Sequence, residues 1–252
     1  MGGLLADRVT LVTGGGSGIG RAAAQLFAQE GARVVVADIA PDHAAETVDT
    51  IKAAGGNAIA VTVDVANPDQ VAAMVEAAVR HFGRLDCAFN NAGVTGGTPG
   101  VHDWDDAMMD RALAINIKGT MLCMKFEISQ MEKQSGGCIV NMASTAGLVG
   151  VGALAYTASK HAVVGMTRVI AARYAARNIR VNALCPGAVM TAMLETSFER
   201  DPEMGKQLMA AHPIGRVARP QEIAEAAAWL LSDKSSYVAG IPLAVDGGFT
   251  AI

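Results

Sequence analysis

The chain has 252 residues, comfortable for one large α/β unit, and its 51% hydrophobic content supplies a sizeable core, which excludes global disorder. Twenty basic against 24 acidic side chains leave a net charge of −4, too mild for an electrostatic hold on nucleic acid or anionic lipid. The 28 glycines follow no three-residue period, which excludes a collagen-like chain.

The opening residues MGGLLADRVTLVTGG show no apolar run followed by a cleavage site, and no later stretch approaches the roughly 18 uninterrupted apolar residues of a membrane span. The expectation is a cytoplasmic chain that engages neither membrane nor nucleic acid. Cys87, Cys123, Cys138 and Cys185 are scattered, without C-x-x-C pairing or zinc spacing, and read as reduced thiols. Cys185 reads as a small buried hydrophobe. His81, His102, His161 and His212 form no ligand grouping, so no catalytic metal is expected.

In chain order, short apolar runs at 9–13, 32–38, 58–63, 85–90, 138–143 and 180–185 read as strands, with a seventh at 242–245. Alanine-rich amphipathic stretches at 21–29, 43–54, 70–82 and 156–176 read as helices between them. The strands are nearly continuous hydrophobic runs, which implies burial on both faces. Strand–helix–strand alternation implies right-handed crossovers, hence a Rossmann-like doubly wound parallel sheet of seven strands with helices on both faces. No repeat or linker interrupts the pattern, so residues 1–252 are expected to form a single domain. One segment departs from it: 190–212 carries Met190, Met193, Leu194, Phe198, Met204, Leu208 and Met209 among polar residues, broken by Pro202. Its place after the sixth strand, at the carboxyl end of the sheet, makes it a candidate methionine-lined cover over an apolar substrate; the plainer reading is a helical excursion packed on the core.

The first strand runs into Thr13-Gly14-Gly15-Gly16-Ser17-Gly18-Ile19-Gly20 and then a helix. Phosphate binding needs backbone N–H groups unobstructed by Cβ atoms and a helix N-terminus aimed at the anion. Gly14, Gly18 and Gly20 would give the tight turn, the close pyrophosphate approach and the close helix–strand packing. The second strand ends at Asp38, eighteen residues after Gly20, where a carboxylate accepts from the adenosine ribose hydroxyls. Asp38 would repel a 2′-phosphate, and Ser17 and Ile39 offer no compensating charge, so NAD(H) is favoured over NADP(H). The alternative for Asp38, a cap for the helix that follows, is met instead by Pro41 and Asp42. Asp64 follows the third strand and is a candidate contact for an adenine amino group; taken alone it reads as an ordinary strand-end carboxylate. Asn90-Asn91-Ala92-Gly93 closes the fourth, where small residues and side-chain amides would let backbone approach a cofactor and tie neighbouring strands together.

Tyr156 and Lys160 stand four residues apart at a helix start and share a face. A free phenol titrates near about 10 and is a poor base at neutral pH. A neighbouring ammonium favours the phenolate and would lower that value toward the range useful in acid–base work.

TGGGSGIG at 13–20, NNAG at 90–93, Asn116, Ser144, YTASK at 156–160, Pro186-Gly187, PIGRVARP at 213–220 and Asp246-Gly247-Gly248 together resemble a short-chain dehydrogenase/reductase of the roughly 250-residue kind, over nearly the whole chain. The resemblance implies that Tyr156 is the general acid in ketone reduction and the base in the reverse direction. It implies that Ser144 binds the substrate oxygen, that Lys160 binds the nicotinamide ribose and depresses the phenol, and that Asn116 holds a water in the proton path. Thr191 would contact the cofactor carboxamide. The expected cofactor-binding set is Gly14, Ser17, Gly18, Ile19, Gly20, Asp38, Asp64, Val65, Asn91, Ala92, Gly93, Tyr156, Lys160, Pro186, Gly187, Val189 and Thr191. Ser144 lies twelve residues before Tyr156, one fewer than the commoner family spacing, with Thr145 as a fallback hydroxyl and the glycine-rich loop 147–152 able to absorb the difference.

Val94, Leu148, Val151, Leu154, Met190 and Met193 are the apolar candidates for the substrate side, beside Ser144. The resulting expectation is an NAD-dependent oxidoreductase interconverting a secondary alcohol and a ketone on a hydrophobic aliphatic, alicyclic or steroid-like substrate. Its rivals are a 3-oxoacyl-thioester reductase using NADPH and a non-catalytic dinucleotide sensor or scaffold. The helices within 104–131 and 156–176, rich in small and apolar residues, are candidate interfaces for the homotetramer common among relatives. Trp104 and Trp229 read as packing anchors.

Overall fold

The computed structural model describes residues 2–96, 105–134 and 136–251; His102 and Trp104 lie outside them. Seven strands form one parallel sheet in the order β3-β2-β1-β4-β5-β6-β7. They are β1 Val9–Thr13, β2 Arg33–Asp38, β3 Asn57–Thr62, β4 Cys87–Asn90, β5 Gly137–Met142, β6 Ile179–Pro186 and β7 Pro242–Val245.

The pleat sorts alternate residues of a strand to opposite faces, and the core follows that period. Val34 and Val36 of β2 face α1 (Gly18–Gln29), α2 (Pro41–Ala53) and α9 (Pro220–Leu231), through Ala23, Phe27, Val48, Ile223 and Ala227. Val35 and Ala37 face the other layer, where α3 (Pro68–Phe82), α5 (Thr120–Lys133) and α6 (Leu154–Tyr174) contribute Val71, Met74, Met124, Ile128 and Ala171. Burial on both faces holds for the central strands. It fails at the edges: β3 alternates with exposed positions at Asn57, Ala60 and Thr62, and β7 is only partly covered, because an edge strand lacks one flanking neighbour.

Segment 190–212 divides where Pro202 predicts: α7 is Ala192–Arg200 and α8 is Pro202–Ala210. Asp201 caps α8, its Oδ1 accepting from the Met204 N–H at 3.0 Å. Gly205 faces the Phe198 ring so closely that a Cβ there would lie 3.1 Å from it, so the two short helices pack on each other. No helix among the described residues is long and apolar enough to cross a membrane.

The strand order runs outward from β1 in one direction and from β4 in the other. The crevice beyond the carboxyl ends of these two strands is where ligands of open α/β sheets bind.

Candidate active site

Strand β1 is fully buried and delivers the chain into Gly14, whose φ of +63° is a left-handed conformation that a side chain would strain. A Cβ on Gly20 would stand 2.0 Å from the Gly14 carbonyl oxygen, so only glycine lets the first turn of α1 sit against the strand exit. Ser17 is the N-cap of α1 in extended conformation, yet its hydroxyl makes no capping bond, and the first turn carries no acidic residue. The helix start is thus left with unpaired N–H groups and no resident negative charge, the arrangement that receives phosphate.

Asp38 ends β2 beside this loop. Its Oδ2 accepts from the Gly16 N–H at 2.8 Å and its Oδ1 from the Ala40 N–H at 3.0 Å. Helix α2 starts at Pro41 with Ala40 as N-cap, so Asp38 braces the loop rather than capping the helix. Asp64 makes a local turn, accepting from the Ala66 N–H at 2.9 Å. Asn91 Nδ2 donates to the Thr13 and Gly14 carbonyls at 3.0 and 3.2 Å, while Thr13 Oγ1 accepts from the backbone N–H groups of Asn91 and Ala92. Asn90 Nδ2 donates to Asn141 Oδ1 on β5 and to Glu127 on α5, both at 3.0 Å. These amides stitch β4 to both neighbours.

A cavity of about 410 Å³ occupies this switch point. Gly14, Ser17, Gly18, Ile19, Asp38, Asp64, Val65, Asn91, Ala92, Gly93, Val94 and Thr191 line it. Its lining includes Asp38, the glycine turn and Gly93. Sequence reasoning missed Ile39, Val63, Arg111 and Ile115 in the same wall. Arg111 and Ile115 sit one helical turn apart just before Asn116, a spacing that could have been read as one face. Gly20, Pro186, Gly187 and Val189 are not part of this lining. Val189 is buried and pairs with Ala218 as an isolated parallel bridge.

The catalytic candidates gather at the Gly93 end. Asn116 lies in a π-helical stretch, Ala114–Gly119, between α4 (Asp106–Leu113) and α5. Its side chain is buried and engaged: Oδ1 accepts from the Val94 N–H at 2.9 Å, and Nδ2 donates to the Val94 carbonyl at 2.8 Å and to Ser159 Oγ at 3.0 Å. The amide therefore pins the loop after β4 to α6.

Ser144 caps a short 3-10 turn, Thr145–Gly147, its Oγ accepting from the Ala146 N–H at 3.1 Å and hydrogen-bonding the Tyr156 phenol. Thr145 is buried. Lys160 is buried, its Nζ donating to the Met142 carbonyl at 2.9 Å and standing 5.4 Å from the Tyr156 ring centroid. A Cβ on Gly93 would lie 3.5 Å from that ammonium.

The electrostatics differ from the sequence reading. Burial pushes the Tyr156 phenol above its ordinary 10, and the Ser144 hydrogen bond only partly offsets this. Burial also drives the Lys160 ammonium down to about 8. Both groups are desolvated and the ammonium is aimed at the Met142 carbonyl, so burial outweighs the depression of the phenol expected from the lysine. Cys185 is fully buried, as expected of a core thiol, yet it abuts the same cluster: burial raises it to about 11, and Ser144 and Lys160 oppose the rise.

Of the substrate-side set, Val94 lines the cavity. Leu148 instead packs inward on Ala143, Val163, Val164 and Cys185. Leu154 stands 53% exposed on the first turn of α6 and is not part of the cavity lining. Val151 and Met190 are half-buried, and the side chain of Met193 lies outside the described residues. Among the described residues no group of three or more His, Cys, Asp or Glu could hold a metal ion.

A family model described as enoyl-(acyl carrier protein) reductase matches residues 14–250. The chain is 48% identical over 250 residues to a 2,5-dichloro-2,5-cyclohexadiene-1,4-diol dehydrogenase of Sphingobium indicum, covering 98% of this chain and 99% of the relative. It is 40% identical over 246 residues to a cyclohexanol dehydrogenase of an Acinetobacter strain, covering 97% and 96%. Among solved structures, levodione reductase superposes with a TM-score of 0.93 at 37% identity, covering 98% and 99%. A chain from Beutenbergia cavernae with NADP bound at low occupancy superposes with a TM-score of 0.92 at 37% identity, covering 98% of each.

Proposed function

Because this chain belongs to the short-chain dehydrogenase/reductase family, we propose that it interconverts an alicyclic secondary alcohol and its ketone, using NAD(H), with Tyr156 as the acid–base residue. The observation that carries the reading is the grouping of the Tyr156 phenol, the Ser144 hydroxyl and the Lys160 ammonium, the last of them beside Gly93 of the cavity lining. When bound, the nicotinamide accepts or supplies the hydride at the carbinol carbon. Ser144 donates to the substrate oxygen and holds it against the phenol. In ketone reduction Tyr156 gives its proton to that oxygen, and in oxidation it takes the proton back. Lys160 would hold the ribose of the cofactor. Its ammonium, with the positive charge that the oxidised ring would add, would favour the phenolate and oppose the effect of burial.

The preference for NAD(H) rests on Asp38, whose carboxylate lines the cavity and is held in place by Gly16. A 2′-phosphate there would meet a fixed negative charge. Arg21 offers no relief, since its guanidinium is bound to the Gly16 carbonyl and Glu46. The whole chain acts as one catalytic domain, and residues 190–212 cover the substrate. The alicyclic substrate class is taken from the named activities of the two relatives and the apolar Val94 side of the cavity. The protein works in the cytoplasm as a homotetramer.

A panel of cyclic and acyclic alcohols and ketones, each with NAD(H) and NADP(H), tests this reading. Turnover should be highest for ring alcohols with NAD⁺. Strong NADPH preference with acyl thioesters would favour the thioester reductase instead. Tight NADH binding without turnover of any substrate would favour a sensor.

A further inference from the structure

His212 closes the segment that follows β6. Its ring is buried and stacks on Phe249, with centroids 5.1 Å apart. Both ring nitrogens are engaged by backbone: Nδ1 meets the Leu208 carbonyl of α8 at 2.8 Å, and Nε2 meets the Ala188 N–H at 3.1 Å. A carbonyl can only accept and an amide N–H can only donate, which fixes the ring as neutral with its proton on Nδ1. Gly187 makes room for it, since a Cβ there would stand 2.7 Å from Nε2. Ala188 belongs to the turn that carries Thr191 into the cavity wall. On its far side the same turn is held by Ala218, whose N–H donates to the Ala188 carbonyl and whose carbonyl accepts from the Met190 N–H.

We propose that His212 is a positioning residue that ties α8 to the turn after β6, so that the covering segment and the cofactor-facing Thr191 are held as one unit. The role rests on the dinucleotide reading above. With neither ring nitrogen free, the imidazole holds the Ala188 turn and the end of α8 at a fixed separation.

The charged groups on the elements packed around the ring are engaged elsewhere. Glu203 and Lys206 of α8 pair with each other at 3.3 Å, and Arg216 is bound to Glu222. Asp246 is held by the Gly248 N–H and by Thr250. At the end of β6, burial raises the Cys185 thiol to about 11.

The test uses calorimetric titration of the intact protein with NADH and with AMP, together with trypsin cleavage after Arg200 and Lys206. His212→Phe keeps the stack and removes both hydrogen bonds, whereas His212→Gln keeps a donor and an acceptor. The Phe variant should bind NADH about tenfold more weakly and be cut faster, with AMP binding unchanged. The Gln variant, which keeps a donor and an acceptor, should bind NADH and resist trypsin as wild type does. Wild-type NADH affinity and trypsin resistance in the Phe variant would overturn the role, as would a Gln variant weakened as much as the Phe variant. If the Phe variant does not fold, His212→Leu, which also lacks both hydrogen bonds, takes its place. Failure of wild type to bind both AMP and NADH would instead sink the dinucleotide reading, and this role with it.

Discussion

In the proposed mechanism the phenol of Tyr156 has an unfavourable starting point for a base. Burial holds it above its ordinary 10, which suits it to give a proton in ketone reduction. Alcohol oxidation needs the phenolate, and its rate should rise with pH through the alkaline range while ketone reduction does not; parallel pH–rate profiles in the two directions would check this. Glu127 of α5 is the second buried acid with a consequence. Desolvation raises it to about 8, with the Asn90 amide opposing. Its Oε1 and the Asn90 Oδ1 are both buried acceptors without a hydrogen-bond partner, and one proton on Glu127 supplies a donor where there is none. A folded value above the ordinary 4.5 means that the folded state holds a proton the unfolded chain releases. The stability this contributes is complete below about 4.5 and is lost as pH rises toward about 8, at up to roughly 1.4 kcal/mol per pH unit. Denaturation of Glu127→Gln across that range should show a flatter pH dependence than wild type; identical slopes would place a charged carboxylate in the core.

At the scale of elements, the proposed cofactor choice rests on the turn from β2 into α2. Asp38 is fixed by two backbone N–H groups, and Ile39 beside it is 64% exposed. Replacing the pair, Asp38→Ala with Ile39→Arg, removes the repulsion and adds a cation. It should shift the NADPH-to-NADH ratio of kcat/KM upward by about tenfold or more, and an unchanged ratio would mean that Arg111 or another group governs the choice. This turn was legible in the sequence because a strand, three spaced glycines and a carboxylate after the second strand leave few ways to fold. The seven strands were legible for a similar reason: buried parallel strands are apolar runs, and their ends fell within one or two residues of the expected positions. Other features leave no such trace. The π-helical stretch around Asn116 looks like ordinary helix, since its extra residue per turn is set by packing. The inward turn of Leu148 and the exposure of Leu154 depend on where one glycine-rich loop meets α6. Arg111 reads as a surface cation until the fold brings α4 over the crevice.

Over the whole molecule, the site is assembled from parts far apart in the chain, with Gly14 and Asp38 from the first crossover, Asn91 from β4, Ser144 after β5, and Tyr156 and Lys160 from α6. The same helices leave apolar side chains outside: Met121 on α5, and Leu154 and Val169 on α6, are each about half exposed. They mark the faces through which we expect subunits to meet. Met121→Glu with Val169→Glu should shift the sedimenting species toward the monomer, and a monomeric wild type would remove that assignment. The central claim is that a phenol at position 156 transfers the proton while the surrounding cleft binds the dinucleotide. Single-turnover oxidation of cyclohexanol by Tyr156→Phe, with NADH affinity measured on the same preparation, tests it most directly. The account predicts a rate lowered by about 10²-fold to 10⁴-fold with nucleotide affinity within a few-fold of wild type; a variant that oxidises the alcohol at the wild-type rate would contradict it.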